Sequence, residues 1–282
     1  MSSLKKYLWF FAILLAGSCQ KETDDPVDNA GVSKMDVAYG NDPKQKLDYY
    51  LPAGRSTSTT KVIILIHGGG WIDGDKADFS DYFAPLKLKL PDYAIFNINY
   101  RLEGNGSNLF PAQENDVKSA LEFIYNKRSE FTVSDKFVLL GASAGGHLAL
   151  LQAYKYDAPV KAKAVVSFFG PTDLKTLFSS SLPAASLLNT VTGGTPVSHA
   201  ELYRQSSPVT FVKAQSPPTL LLQGGVDPLV PPVQSESLKS LLDNAGVINK
   251  YVFYPTEAHG WVGANLNDSF DKITEFLTTQ VK

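Results

Sequence analysis

The segment Gly141-Ala142-Ser143-Ala144-Gly145 could supply a nucleophile. It follows an apolar run at 137–140 and precedes a helical pattern, and Gly-x-Ser-x-Gly between a strand and a helix is typical of a sharp turn that exposes a serine hydroxyl. Glycines suit the flanking positions because side chains there would clash with the neighbouring strand and helix. We predict that Ser143 is a nucleophile, and the alternative is a Gly/Ala/Ser turn without chemistry.

A serine hydroxyl needs a base within hydrogen-bond distance, and histidine suits that role because its pKa lies near neutrality. His259 is the last of the four histidines, on a loop before the final helical pattern. It fits the chain order Ser, Asp or Glu, then His. We expect His67 to brace its loop, and His199 to lie at the surface. His147 is too close to Ser143 in sequence to serve as the base.

The acid that orients the base should follow the strand that precedes the histidine loop. Asp227 comes shortly after the apolar run at 219–223, and its carboxylate could hold one ring nitrogen of His259. Asp173 also follows an apolar run and is the main competitor. Position in the chain order favours Asp227 over Asp173.

Three consecutive glycines follow the apolar run at 62–66 and leave the backbone N–H groups unshielded. Such groups can stabilise the negative oxygen of a tetrahedral intermediate. We predict an oxyanion hole formed by the N–H groups of Gly69, Gly70 and Ala144, with Gly68 as a weaker candidate. A phosphate-binding loop is the rival interpretation, but no Gly-Lys-Ser/Thr follows the glycines.

Two tryptophans adjoin these loops, Trp71 after the glycines and Trp261 after the candidate base. A large aromatic side chain at such a position either lines a pocket or fills core space. We name Trp71 and Trp261 as candidate pocket residues and keep core packing as the alternative.

Apolar runs and helical patterns alternate along the chain, which predicts an α/β domain. Continuously apolar runs indicate strands covered on both faces of a sheet, whereas the first two runs alternate more and suit antiparallel edge strands. We predict an eight-stranded, mostly parallel sheet with helices on both faces and a small insertion near 172–216. The predicted strands lie near 34–39, 46–51, 62–66, 94–99, 137–141, 163–168, 219–223 and 250–254, and the predicted helices at 79–90, 111–128, 143–156, 232–245 and 266–280.

The composition excludes several classes of protein. With 44% hydrophobic and 19% charged residues in 282, the chain can bury one large core and is not disordered. A formal net charge of −2 without a basic block gives no reason to propose a nucleic-acid partner. One cysteine excludes a disulfide framework and a cysteine-based metal site within the chain, and the scattered histidines do not predict a metal site. The composition does not predict an oligomeric state.

The N-terminus has the layout of a secretory signal: Lys5 and Lys6, an apolar stretch, then Gly17 and Ser18 before Cys19. We interpret Cys19 as a lipid attachment site of a bacterial lipoprotein, the alternative being cleavage and release. The protein would then lie outside the cytoplasm, on the outer membrane or cell surface if lipidated and periplasmic or secreted if not. A lipid anchor is the one membrane contact expected. The predicted organisation is a signal peptide at 1–18, a flexible tether at 19–33 and a catalytic domain at 34–282.

Together these segments resemble the α/β-hydrolase superfamily, and within it the hormone-sensitive-lipase-like and feruloyl/acetyl-esterase-like carboxylesterases. The resemblance includes the segment 99–102, where Asn99 stands in place of the family's aspartate before Tyr100 and Arg101. It also includes the Pro-Ala-x-x-x-Asp pattern at 111–116 and spans roughly residues 36–280.

The resemblance implies a serine esterase without a cofactor, acting through an acyl-enzyme on Ser143. The implied substrates are short acyl esters, acetyl or aryl, on small molecules or plant polysaccharide. The short segment 20–45 leaves little room for the cap helix of lipase relatives, which disfavours long acyl chains. A kynurenine-formamidase-like amidase, a peptidase and a non-catalytic binding lipoprotein are the alternatives, although peptidase relatives normally carry a further large domain.

Overall fold

The computed structural model describes residues 30–282, so the predicted signal peptide, Cys19 and most of the tether lie outside the described residues. The first strand begins at Val32, two residues before the predicted start of the catalytic domain at 34. The strands are β1 (Val32–Ala38), β2 (Lys46–Leu51), β3 (Lys61–Ile66), β4 (Tyr93–Ile98), β5 (Phe137–Ala142), β6 (Ala164–Phe168), β7 (Thr219–Gly224) and β8 (Asn249–Tyr254).

These eight strands form one sheet in the order β1-β2-β4-β3-β5-β6-β7-β8. β1 pairs antiparallel with β2, and β2 pairs antiparallel with β4, whereas every later pairing is parallel. The prediction of a mostly parallel sheet with two antiparallel strands at one edge is confirmed. Because the carboxyl ends of β3, β5, β6, β7 and β8 meet at one edge, the loops that follow them can build one site.

Helices connect the strands and cover both faces of the sheet. The helices are α1 (Ser80–Lys89), α2 (Ala112–Asn126), α3 (Arg128–Phe131), α4 (Ala144–Lys155), α5 (Leu174–Phe178), α6 (Leu182–Thr192), α7 (Ala200–Gln205), α8 (Val233–Asn244) and α9 (Gly263–Gln280), with short 3-10 helices at Lys76–Phe79 and Pro208–Phe211. Within residues 30–282, no helix combines the length and apolar character needed to cross a bilayer.

The core consists of two apolar layers, one on each face of the sheet. Val62, Ile64 and Ile66 of β3 pack with α2, α4 and α8 on one face. Ile63 and Leu65 pack with α1 and α9 on the other. All five side chains have no exposed surface, which explains why β3 is apolar at every position from 62 to 66.

Between β6 and β7 the chain adds the insertion that the broken pattern predicts near 172–216. It contains α5, α6, α7 and the second 3-10 helix. Asp173 caps α5, since its Oδ1 accepts the N–H of Lys175 at 3.0 Å, and Ser181 caps α6, since its Oγ accepts the N–H of Ala184 at 3.2 Å. The insertion is therefore a set of capped helices, and residues of α5 and α6 reach the carboxyl edge of the sheet.

Candidate active site

Ser143 lies between the end of β5 and the start of α4, in a sharply reversed backbone with φ 54° and ψ −123°. A Cβ on Gly141 would lie 2.2 Å from the carbonyl oxygen of Gly145. A Cβ on Gly145 would lie 1.9 Å from the carbonyl oxygen of Ile66. The two glycines thus let the strand, the turn and the helix approach each other closely, and Ser143 holds a backbone conformation that non-glycine residues rarely adopt.

Replacing Gly145 by alanine is expected to lower the free energy of unfolding by about 3 kcal/mol or more, because the new methyl group would overlap backbone that cannot shift cheaply. Urea denaturation followed by circular dichroism measures this. Gly104→Ala is the matched control, since a Cβ there meets no atom within 4 Å. Equal stability of the two variants would contradict the close approach at the turn.

Three residues far apart in the sequence meet at the turn. Nδ1 of His259, on the loop after β8, lies 2.7 Å from Oδ2 of Asp227, on the loop after β7. Nε2 of His259 lies 2.9 Å from Oγ of Ser143. A carboxylate only accepts, so Nδ1 carries the donated proton, and Nε2 of the neutral ring is left as the acceptor for the serine hydroxyl. This arrangement can remove a proton from Ser143.

The carboxylate of Asp227 is held from several sides and has no exposed surface. Its Oδ1 accepts the N–H groups of Leu229 and Val230, both at 2.9 Å. Its Oδ2 accepts Nε2 of Gln223 at 3.3 Å, and the Gln223 amide is itself fixed because its Oε1 accepts the Ser235 hydroxyl at 2.8 Å. Sequence reasoning did not identify Gln223, although a polar residue at the end of an apolar strand is a detectable signal.

The competing aspartate, Asp173, serves the insertion instead. Besides capping α5, its Oδ2 accepts the Thr176 hydroxyl at 2.7 Å. All of its side-chain hydrogen bonds are to residues of the α5 turn. The structure therefore brings Asp227, and not Asp173, to His259.

The remaining histidines have other partners. His147 is fully buried, its Nε2–H donates to the carbonyl oxygen of Ser206 at 2.7 Å, and its Nδ1 accepts the indole N–H of Trp71 at 3.3 Å. Burial lowers the pKa of His147 to about 4, so the ring is neutral at pH 7. His199 is exposed, as expected. Within residues 30–282, no group of three or more His, Cys, Asp or Glu side chains is arranged to hold a metal ion.

His67 braces the glycine loop as the sequence predicts. Its Nδ1–H donates to the carbonyl oxygen of Gly68 at 2.8 Å, and its ring stacks on Tyr100 with the ring centroids 4.3 Å apart. The Tyr100 hydroxyl donates to the carbonyl oxygen of His67 at 2.9 Å. Burial lowers the pKa of His67 below its usual value, which keeps the ring neutral.

The neighbouring motif residues form a second layer of support. Asn99 donates through Nδ2 to Asp75 at 2.7 Å and accepts the N–H of Lys76 at 2.6 Å. Arg101 pairs with the fully buried Asp116, with Nη2 and Oδ1 2.6 Å apart. The residues that carried the family resemblance thus hold the loops around the site.

The glycine loop lies against the candidate nucleophile. A Cβ on Gly68 would lie 3.2 Å from the Cβ of Ser143, and Gly69 and Gly70 have φ values of +99° and +59°. Among residues 30–282, no backbone carbonyl accepts the N–H groups of Gly69, Gly70 or Ala144. These donors remain candidates for an oxyanion hole.

A cavity of about 570 Å³ opens above Ser143 and His259. The insertion forms part of its wall, with Leu177 of α5 and Leu187 of α6; the Leu187 side chain would lie 3.2 Å from a Cβ on Gly70. Cavities of about 300–1,000 Å³ are the usual size for small-molecule ligands.

The two candidate pocket tryptophans, Trp71 and Trp261, differ in their position relative to the cavity. Trp71 lines the cavity although it is only 2% exposed. Trp261 does not line it: its ring packs on Phe168 and Tyr254, and its N–H donates to Ser269 at 2.9 Å. These contacts favour the core-packing alternative for Trp261.

Phe169 is a site residue that sequence reasoning missed. It directly follows β6, and its ring centroid lies 4.5 Å from that of His259. Its own backbone is strained, with φ 40°. An aromatic residue at the carboxyl end of the strand beside the serine turn was the available signal. Phe169 limits the positions that the His259 ring can take.

A parallel sheet with a strained serine turn after β5, and an acid and a base after β7 and β8, defines the α/β-hydrolase class. Within that class, the chain belongs to the BD-FAE family, whose profile matches residues 47–242. The sequence-based identification of an α/β-hydrolase carboxylesterase relative is confirmed.

The chain is also similar to individual curated proteins. The chain is 27% identical over 251 residues to Esterase LipC of Mycobacterium tuberculosis, covering 82% of this chain and 60% of LipC. It is 26% identical over 241 residues to Dipeptidyl aminopeptidase BIII of Pseudoxanthomonas mexicana, covering 80% of this chain and 34% of that protein. The chain therefore spans less than two thirds of these curated relatives.

A solved structure matches over nearly the whole of both chains. It is a truncated form of a carbohydrate esterase from gut microbiota, 25% identical, with a TM-score of 0.77. The match covers 90% of this chain and 98% of that one.

Proposed function

We propose that this chain is a serine esterase that hydrolyses short acyl esters through an acyl-enzyme on Ser143. The observation that carries the proposal is the pair of hydrogen-bond distances at His259, 2.9 Å to Ser143 Oγ and 2.7 Å to Asp227 Oδ2. A base linked to both a hydroxyl and a buried carboxylate is the arrangement that activates a serine.

In the first half-reaction, Ser143 Oγ attacks the ester carbonyl carbon while His259 Nε2 takes the hydroxyl proton. The carbonyl oxygen becomes negative and accepts N–H groups from Gly69, Gly70 and Ala144. The intermediate collapses, the carbon–alkoxy bond breaks, and the leaving alcohol receives the proton from His259. Asp227 stabilises the transient imidazolium and keeps Nε2 directed at the serine.

In the second half-reaction, a water molecule replaces the alcohol. His259 takes one proton from the water as its oxygen attacks the acyl carbon. The second tetrahedral intermediate breaks its bond to Ser143 Oγ, which recovers the proton from His259. The products are a carboxylic acid and an alcohol, and the free serine is restored.

Cavity volume and relatives support a substrate class. The cavity of about 570 Å³ is far larger than an acetyl group, so it can also hold an aryl acyl group or a sugar. One structural relative is a carbohydrate esterase, and LipC is an esterase. We propose acetyl or aryl esters, on plant polysaccharide or smaller carbohydrate, as substrates.

Rates on p-nitrophenyl esters of increasing acyl length, acetylated xylan and methyl ferulate test the proposal. We expect the highest kcat/KM on acetyl or feruloyl esters. Hydrolysis of peptide or formamide bonds in preference to all of these esters would contradict it, and the aminopeptidase relative makes dipeptide amides the comparison to include.

We also propose that Cys19 is lipidated and anchors the domain to a membrane outside the cytoplasm. The support comes from sequence alone, since a basic start and an apolar stretch precede the chain's one cysteine. Expressed in a bacterial host, a Cys19→Ser variant should move from the membrane to the soluble fraction. An unchanged distribution would contradict the anchor.

A further inference from the structure

The wall of the cavity carries polar side chains besides Ser143 and His259. They are Asp78, Tyr82 and Ser181, among lining residues that are otherwise mostly apolar or glycine. Ser181 Oγ accepts the N–H of Ala184 and so serves as the cap of α6. Asp78 and Tyr82 lie on the segment that leads into α1, and both have capacity for a ligand.

The ring of Tyr82 is fixed by aromatic contacts. Its centroid lies 4.6 Å from that of Phe79, 5.4 Å from that of Phe168 and 5.4 Å from that of Phe270. Burial raises the pKa of Tyr82 to about 12, so the phenol keeps its proton at neutral pH. Within residues 30–282 its hydroxyl has no hydrogen-bond partner, although the ring itself is packed against three aromatic rings. A rigid ring with an unused hydroxyl is suited to binding a ligand.

Asp78 lies four residues before Tyr82, where the 3-10 helix continues into α1. Residues at this spacing share one side of a helix, and both of these line the cavity. Asp78 Oδ2 accepts the N–H of Asp75 at 2.9 Å, which fixes the carboxylate and leaves Oδ1 available to accept a hydrogen bond.

The wall of the cavity carries a negative charge without a lysine or arginine to balance it, among residues 30–282. Asp78 lines the cavity, and no lysine or arginine does so within residues 30–282. A cavity wall that carries both a carboxylate and a phenol can bind a hydroxyl group, because the carboxylate accepts and the phenol both donates and accepts. The same carboxylate repels an anionic group and has no nearby cation in the wall to offset this.

We propose that Tyr82 and Asp78 form a subsite that binds a hydroxyl group of a neutral ester substrate and disfavours anionic esters. This inference rests on the proposed esterase function and specifies the substrate class of the same cavity. The hydroxyl can belong to the acyl part, as in a hydroxycinnamoyl ester, or to the alcohol part, as in a sugar.

Two matched pairs of substrates show whether the bound hydroxyl belongs to the acyl part or to the alcohol part of the ester. Methyl 4-hydroxycinnamate against methyl cinnamate tests a hydroxyl on the acyl side, and glyceryl monoacetate against propyl acetate tests hydroxyls on the alcohol side. For each pair, the ratio of kcat/KM values measures recognition of the hydroxyl. We expect the wild-type protein to prefer the hydroxylated member of at least one pair, and Tyr82→Phe to reduce that ratio about fivefold to tenfold.

Asp78→Asn tests the charge. The amide retains an oxygen for the N–H of Asp75, so the helix start should persist, while the repulsion of anions is removed. We expect this variant to gain about fivefold in kcat/KM on methyl 4-carboxycinnamate relative to methyl cinnamate. Tyr50→Phe is the matched control, since Tyr50 packs on Phe83 of the same helix α1 but does not line the cavity. It should change neither ratio.

The outcomes distinguish this inference from the function on which it rests. Wild-type protein that hydrolyses none of these esters would contradict the esterase proposal and the subsite together. Active protein whose ratios are unaffected by both Tyr82→Phe and Asp78→Asn would overturn the subsite alone. If Tyr82→Phe lowers the kcat/KM ratio in the cinnamate pair, the hydroxyl belongs to the acyl side. If it lowers the ratio in the acetate pair, the hydroxyl belongs to the alcohol side.

Discussion

Replacing Ser143 by alanine is expected to lower kcat for p-nitrophenyl acetate by about 10⁶-fold, the size of effect seen when a serine hydrolase loses its nucleophile. The Cβ remains, so the backbone at φ 54° is as strained in the variant as in the wild type. The fold should therefore persist, and circular dichroism should show unchanged melting within a few degrees. Stopped-flow and steady-state assays measure the loss.

Ser198 provides the matched control for this substitution. Its Oγ lies 2.9 Å from Nδ1 of His199, the same separation that joins Ser143 to His259, but the pair is exposed on the insertion. Ser198→Ala should leave kcat within about twofold of wild type, as expected for a surface substitution. Retention of activity in Ser143→Ala, or its loss in Ser198→Ala, would contradict the assignment of the nucleophile.

Replacing Asp227 by asparagine is expected to reduce kcat by about 10⁴-fold with little change in structure. Asparagine can still accept the N–H groups of Leu229 and Val230 through its oxygen. It would then present an NH₂ group to His259 Nδ1, which favours the tautomer with its proton on Nε2. That tautomer cannot accept the proton of Ser143, so the base is lost.

Asp173→Asn is the control for the acid, because Asp173 also follows a central strand. Asparagine caps helices about as well as aspartate, so α5 should remain capped and kcat should stay within about twofold. The assignment fails if Asp173→Asn abolishes turnover while Asp227→Asn retains it.

Most of the sheet could be predicted because its strands are buried on both faces. β3 and β5 have every core position apolar, and their ends at Ile66 and Ala142 lie within one residue of the predicted ends. His67 and three glycines follow β3, and the Gly-x-Ser-x-Gly turn closes β5, so the sequence itself marks where each strand stops. The antiparallel edge was also predictable, since β2 is only partly buried and alternates in character.

The insertion could be located but not described in advance. Its helices are short, and α5 has five residues, too few to show a helical period. Their positions depend on caps such as Ser181 and on packing against the glycine loop through Leu187. The approach of Leu187 to Gly70 joins residues more than a hundred positions apart, and one sequence does not reveal such a contact.

The meeting of Ser143, Asp227 and His259 was predictable for a different reason, namely that each residue follows the carboxyl end of its own strand. The residues that line the wall of the cavity could not be predicted in this way. Phe169, Asp78 and Tyr82 acquire their places through tertiary packing, and Trp261 is excluded from the cavity by its contacts with Phe168 and Tyr254. The reaction class thus depends on local sequence patterns, whereas substrate preference depends on long-range packing.

Reaction with a fluorophosphonate, followed by peptide mass spectrometry, tests the activated serine most directly. The reagent forms a phosphorus–oxygen bond only with a hydroxyl whose proton is removed, and it releases fluoride. We predict one adduct, on the peptide that contains Ser143, which is lost in heat-denatured protein and in Ser143→Ala. Folded protein that takes no adduct, or takes it on another residue, would contradict a serine activated by His259 and Asp227.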